Sequence, residues 1–245
     1  MKKILHLILF LLPLVSCTHQ DKTDLENGSL WKIVSKSGTE SYIFGTLHLY
    51  PENKITLSEE VIARVESSNK LVLESHMTNE EEHIRIATEI PDFLLKSFTI
   101  IRSEYGYGLV SMESQFTEIA KDSDVDIYGL ESSEEVIKTM ETVKKIPISD
   151  SIFIADEMLQ DYKESLKLYQ RESIQEFKET LIIQMGNEIT QILVDNRNDA
   201  WLKKIISFIE NDKIFIAVGI GHLGGEKEVL KLLVNQGYQV ERIRI

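Results

Sequence analysis

The pattern of apolar and polar positions divides the chain into short apolar runs that stop abruptly and longer stretches with helical spacing. Leu30 to Ser35 and Ser41 to Phe44 flank Lys36-Ser37-Gly38-Thr39, a small polar cluster suited to a turn, so a hairpin is expected to open the domain. The runs Lys70 to Leu73, Val125 to Leu130 and Lys213 to Val218 read as buried strands, and Tyr238 to Ile245 alternates as a final one. Helical spacing covers Leu57 to Ser68, residues 79–104, Gln115 to Lys121, Ser133 to Lys145, nearly all of Ser149 to Asn211, and Glu226 to Asn235. Pro147 marks a break before the long helical region, which is a cap or a lid. The expected fold is α/β and helix-rich: a mixed central sheet of about six short strands with an opening hairpin, flanked by helices and a helical cap.

Before this domain the pattern changes. Met1-Lys2-Lys3 precedes an apolar run from Ile4 to Val15 that is short for a permanent membrane span, and it reads as an export signal. The run ends in Leu14-Val15-Ser16-Cys17, which resembles the lipobox of bacterial lipoproteins, and Cys17 is the single cysteine of the chain. An internal disulfide is therefore excluded, and Cys17 is the candidate lipidation site. The competing reading is an ordinary secretory signal with a stray cysteine. The expected organisation is a signal peptide over 1–16, a lipidated cysteine and polar tether over 17–28, and one domain over 29–245. Thr18 rather than an acidic residue follows Cys17, which resembles outer-membrane sorting. The expected location is the cell envelope, lipid-anchored to a membrane, at the outer membrane or facing the periplasm in a Gram-negative host.

The 245 residues, 42% of them hydrophobic, suffice for a real core, and the formal charge of −13 argues against nucleic acid or an anionic lipid surface as partner. Candidate chemistry collects at strand ends. Gly45-Thr46-Leu47-His48 follows the strand Tyr42-Ile43-Phe44, and Gly219-Ile220-Gly221-His222-Leu223-Gly224-Gly225 follows Ile214 to Val218. Glu74 ends Lys70-Leu71-Val72-Leu73, and Glu131 ends Ile127-Tyr128-Gly129-Leu130. A lone histidine in a turn is more often structural, but two histidines and two carboxylates at strand ends make the mixed nitrogen and oxygen set that divalent metals use. The glycine turn at Gly219 also admits a phosphate-binding reading, although its spacing is neither a Walker loop nor a dinucleotide fingerprint. His76 and His83 lie beside the run Glu80-Glu81-Glu82 without metal-ligand spacing and read as a solvated helix face. Trp31 and Trp201 read as core, and Tyr162 and Tyr169 as helix residues of the cap with a contact to substrate left open.

Five segments carry a family resemblance: Ser41-Tyr42-Ile43-Phe44-Gly45-Thr46-Leu47-His48, Leu71-Val72-Leu73-Glu74, Tyr128-Gly129-Leu130-Glu131-Ser132, Asp195-Asn196-Arg197-Asn198-Asp199-Ala200-Trp201, and Ala217 through Gly225. In this order they resemble the TraB/GumN family, which includes the Tiki proteases and the enterococcal pheromone-shutdown proteins. The resemblance implies a divalent-metal-dependent, membrane-tethered, peptidase-like hydrolase, with manganese or cobalt favoured and zinc a further candidate. It implies His48, His222 and Glu74 as metal ligands, and Glu74, Glu131 and Arg197 as catalytic residues. Where many relatives carry a glycine-aspartate pair, this chain reads Ser111-Met112-Glu113, which keeps the charge. The expected partners are a peptide or protein substrate and a membrane reached through Cys17. The alternative is a non-catalytic surface protein that binds or sequesters a peptide or other signal. The oligomeric state is not legible.

Overall fold

A computed structural model of the chain describes residues 25–148 and 155–245. The expected signal peptide, Cys17, most of the tether and residues 149–154 of the helical region lie outside the described residues.

Among the described residues the central sheet has six strands in the order β6 (Asp126–Glu131), β4 (Lys70–Ser75), β7 (Ile214–Gly219), β2 (Glu40–Thr46), β1 (Leu30–Val34) and β8 (Gln239–Ile243). The first four run parallel, whereas β1 pairs antiparallel with both β2 and β8. The sheet is thus mixed, as expected, and β1 alone among these six runs against the rest. Its hairpin to β2 closes through Ser35 and Thr39, with Gly38 at φ +89, a conformation open to glycine. Every residue of β7 is buried, as a strand covered on both faces requires. A separate two-stranded sheet, β3 (Tyr50–Pro51) with β5 (Leu109–Val110), was not expected, because two-residue strands carry no periodicity.

The helices are α1 (Glu59–Glu66), α2 (Glu80–Glu89), α3 (Asp92–Tyr105), α4 (Met112–Asp122), α5 (Ser133–Lys144), α6 (Ala155–Gln170), α7 (Ile174–Met185), α8 (Asn187–Thr190), α9 (Asn196–Asn211) and α10 (Val229–Asn235). The expected helix over 79–104 is two helices. Pro91 pushes Ile90 into an extended conformation with ψ 127, and a new helix starts beyond it. A π turn over Gln191–Asp195 joins α8 to α9. The chain passes from β2 through α1 to β4 and on through α4 to β6 in one direction, then returns through α9 to β7 and through α10 to β8 in the other. Right-handed crossovers put α1 with α4 on one face and α9 with α10 on the opposite face, and each of these helix pairs is in contact. Phe116 of α4 meets Phe44 and Phe215 at ring distances of 5.5 and 5.3 Å. Consequently β7 lies between β2 and β4 with its connection on the other face from theirs, and a crevice opens at their carboxyl ends.

Candidate functional site

Strand register decides what meets in that crevice. Thr46 at the end of β2 pairs with Gly219 at the end of β7, and Leu73 of β4 pairs with Ala217. The residue after Leu73 therefore arrives level with the end of β7, where the Gly219 N–H donates to Glu74 Oε1 at 2.7 Å. The turn after β2 carries His48 to the same point, and a 3-10 turn over Ile220–Leu223 brings His222. The Nε2 atoms of His48 and His222 lie 3.7 and 3.5 Å from Glu74 Oε1. Gly219 leaves space that a side chain would crowd: a Cβ there would lie 3.1 Å from both Glu74 Oε1 and His48 Nε2, so these neighbours would have to give by a few tenths of an ångström. Gly45 is constrained in the same way, since its Cβ would come within 2.9 Å of Ile220 Cγ1. Both Gly-x-x-His turns thus begin with a glycine that admits a neighbour.

Each imidazole is held from behind. Asn198 donates its Nδ2 to the carbonyls of Lys227 (2.8 Å) and His222 (3.2 Å), which fixes the amide with Oδ1 facing His222 Nδ1 at 2.6 Å. That oxygen can only accept, so Nδ1 carries the proton and Nε2 presents its lone pair to Glu74. Burial pushes the His222 pKa down to about 3, so the ring is neutral at ordinary pH. His48 is the exposed member, with 60% of its side chain accessible. Its Nδ1 lies 2.9 Å from Glu113 Oε1, which also accepts from Thr46 Oγ1, while Glu113 Oε2 accepts from Ser111 Oγ at 2.7 Å. Desolvation in the surrounding protein opposes a charge on His48, but Glu113 and Glu74 outweigh it and raise the pKa to about 9. Glu113 itself is depressed to about 2, against its burial, by the His48 charge and these donors.

Arg197 binds the remaining carboxylate oxygens. Its Nη2 donates to Glu74 Oε2 at 2.7 Å, its Nε to Glu131 Oε1 at 2.9 Å, and its Nη1 to the Leu193 carbonyl at 3.0 Å. A further Nη2 contact to Glu131 is very short. Burial works against ionisation of Glu74, yet the Arg197 guanidinium and the Gly219 N–H hold its carboxyl well below the usual range. The guanidinium stacks on Trp201 (4.6 Å), whose ring lies 4.5 Å from that of His222. Trp201 is thus core, as expected, and also the floor under Arg197 and His222.

The structure therefore brings together His48, His222, Glu74 and Arg197, and holds Glu131 on the far side of Arg197. Glu113 and Asn198 were missed as parts of the site, although both lay inside segments already singled out. Their signal is a polar residue on the helix that faces each histidine, 65 and 24 positions away. The cap contacts the site through backbone: Tyr169 donates to the Gly45 carbonyl at 2.9 Å and Tyr162 to the Leu49 carbonyl at 3.1 Å. The glycine turn is not poised for phosphate. Its Gly219 N–H is taken by Glu74 and its Gly225 N–H by Gln175, and α10 begins only at Val229 behind the buried Glu228. Among the described residues, no group of three or more His, Cys, Asp or Glu side chains is arranged to hold a metal ion, and no helix is long and apolar enough to cross a membrane.

The model of the TraB/PrgY/gumN family matches this chain over residues 29–97 and 88–242. No curated protein and no solved structure matches it.

Proposed function

The chain belongs to the TraB/PrgY/gumN family, and from that premise we propose that it is a divalent-metal-dependent, peptidase-like hydrolase whose ligands are His48, His222 and Glu74. One observation carries the reading. The lone pair of a neutral His222 Nε2 faces the ionised Glu74 Oε1 at 3.5 Å, so two acceptors oppose each other where a cation would satisfy both. The distances of 3.5 and 3.7 Å to Oε1 are a few tenths above the roughly 3.3 Å between tetrahedral ligands with bonds of about 2.0–2.1 Å, so the three side chains, which as they stand form no metal-ready group, would have to draw together by that much around an ion. Gly219 leaves that volume free of side chain. Both rings also have the outer-shell support that ligating histidines need, Glu113 for one and Asn198 for the other.

Bound there, manganese, cobalt or zinc would supply Lewis acidity and activate water at neutral pH. The chain's own part is orientation. Asn198 fixes the tautomer of His222, Glu113 holds His48, and Arg197 pins Glu74 with one oxygen toward the histidines. Arg197 has four of its five N–H groups engaged and is a positioning residue in this reading. Exposure of His48 beside buried ligands offers substrate access from one side. The test is metal content by mass spectrometry and thermal shift of the full chain with manganese, cobalt, zinc and magnesium, followed by peptide cleavage. The reading requires near-stoichiometric metal, lost in both His48→Ala and His222→Ala. Unchanged folding with no metal bound by the wild type would remove it.

A second reading, capture of a peptide or other signal without turnover, is favoured by one feature: the oxygens of Glu113 and Glu131 are engaged, so neither carboxylate stands free as a base. Product accumulating beyond one equivalent would exclude it. In either case we place the protein in the cell envelope on lipidated Cys17. The check is acyl mass on the mature N-terminus, absent from Cys17→Ser.

A further inference from the structure

Beside His48 lies a feature that the ligand set does not use. A cleft of about 430 Å3 is lined by His48, Leu49, Phe98, Leu109, Tyr107 and Arg102, within the roughly 300–1,000 Å3 of small-ligand pockets. Its walls are mostly apolar, and two of them are aromatic rings left open to solvent: Phe98 is 40% and Tyr107 95% exposed. Tyr107 stands between Gly106 and Gly108, with Gly106 at φ +63, so a ring costly to expose is carried on a short glycine-flanked loop at the rim.

The charge in this cleft is Arg102, in the last turn of α3, with its guanidinium 5.7 Å from the Tyr107 ring. Among the described residues Arg102 forms no ion pair, although the chain has 40 acidic side chains to draw on. Arg64 and Arg85, by contrast, reach a carboxylate on their own or a neighbouring helix. An unpaired guanidinium beside an apolar cleft is complementary to a ligand with an apolar group and an adjoining anion.

We propose that this cleft is the specificity pocket of the site: it takes an apolar side chain of a peptide, and Arg102 binds a carboxylate that directly follows, either the free C-terminus or an acidic side chain. What happens to the peptide at His48 rests on the hydrolase reading; recognition in the cleft needs neither metal nor turnover.

The experiment is fluorescence anisotropy with the full chain and four rhodamine-labelled peptides: Gly-Gly-Phe as free acid, the same as amide, Gly-Gly-Phe-Glu as amide with its side-chain carboxylate, and Gly-Gly-Ser as free acid. Loss of one charge-assisted pairing weakens binding about tenfold. The phenylalanine free acid is expected to bind about that much tighter than its amide, and Arg102→Gln to abolish the difference while Arg102→Lys keeps part of it. The serine peptide is expected to bind more weakly than its phenylalanine counterpart in every variant. If the glutamate peptide binds like the free acid, the carboxylate is read wherever it is attached; if it binds like the amide, the pocket reads a chain end. Indifference of the wild type to the carboxylate, discrimination that survives Arg102→Gln, or no binding of any peptide overturns the proposal. Product analysis on the same samples separates the two readings. Discrimination without cleavage leaves the pocket and removes the hydrolase, and cleavage without discrimination does the reverse.

Discussion

Gly219→Ala separates ligand geometry from fold more cleanly than removal of a ligand. The backbone at Gly219 has φ −51 and ψ 136, which any residue adopts, so the substitution introduces no backbone strain. The added methyl would be buried, contributing roughly 0.8 kcal/mol, and the loss of freedom in the unfolded chain contributes about 0.4–1 kcal/mol more. Against this stands contact at 3.1 Å with Glu74 Oε1 and His48 Nε2. Relief needs a shift of a few tenths of an ångström from both neighbours: His48, the exposed partner, makes it readily, whereas Glu74 Oε1, held by the Gly219 N–H and through its other oxygen by Arg197, gives less and offsets the gain. Stability without metal should then stay within about 1 kcal/mol of wild type. The same shift exceeds the ~0.2 Å that a metal site tolerates, and misplaced ligands cost on the order of 10–100-fold in affinity, or about 1.4–2.7 kcal/mol. Urea denaturation with and without manganese, together with titration calorimetry, reads both quantities. A variant as stable as wild type that still binds metal with wild-type affinity would refute the shared-volume argument. A variant that unfolds without metal would refute the assignment of Gly219 to the site rather than the core.

Three further outcomes are expected. Arg197→Met leaves Glu74 and Glu131 buried without their cation and should cost about 3–5 kcal/mol in urea denaturation; a loss below about 1 kcal/mol would mean that water takes the guanidinium's place. Glu228 is almost fully buried, and burial raises its pKa from 4.5 to about 8. Because the folded value is the higher one, its contribution to stability is complete below about pH 4.5 and is lost as pH rises through about 8. Glu228→Gln should therefore match wild type at pH 4 and exceed it by on the order of a few kcal/mol at pH 9, and equal pH profiles would contradict this. Tyr169→Phe removes the hydroxyl that holds the Gly45 carbonyl from the cap and should cost about 1 kcal/mol. It should also raise hydrogen exchange at Gly45 to His48, and unchanged exchange there would mean that the cap does not hold the His48 turn.

What could be read from the sequence was whatever repeats or stops within a few residues. Short apolar runs that stop abruptly, the alternation of the last strand, helical spacing, the polar hairpin turn and the special residue at each strand end are local properties, so the strands appear within a residue or two of their expected bounds. So do His48, Glu74, Glu131 and His222 as strand-end residues. The long helix that breaks at Pro91 and the tiny β3–β5 sheet escaped because one proline interrupts an otherwise continuous period and two-residue strands have none.

The choice of partners was decided only by tertiary structure. From sequence, Glu74 and Glu131 are equivalent carboxylates ending equivalent strands. In the fold, the order β6-β4-β7-β2 puts Glu74 beside β7 and within reach of both histidines, while Glu131 is one strand farther out. Arg197, arriving from α9 on the opposite face, takes both oxygens of one and a single oxygen of the other. The same holds for Glu113 and Asn198, ordinary polar helix residues until α4 and α9 aim them at the two imidazoles. Periodicity is set by neighbours along the chain, whereas ligand tautomer, charge and orientation are set by groups tens of residues away, and only strand order and crossover hand bring those groups together.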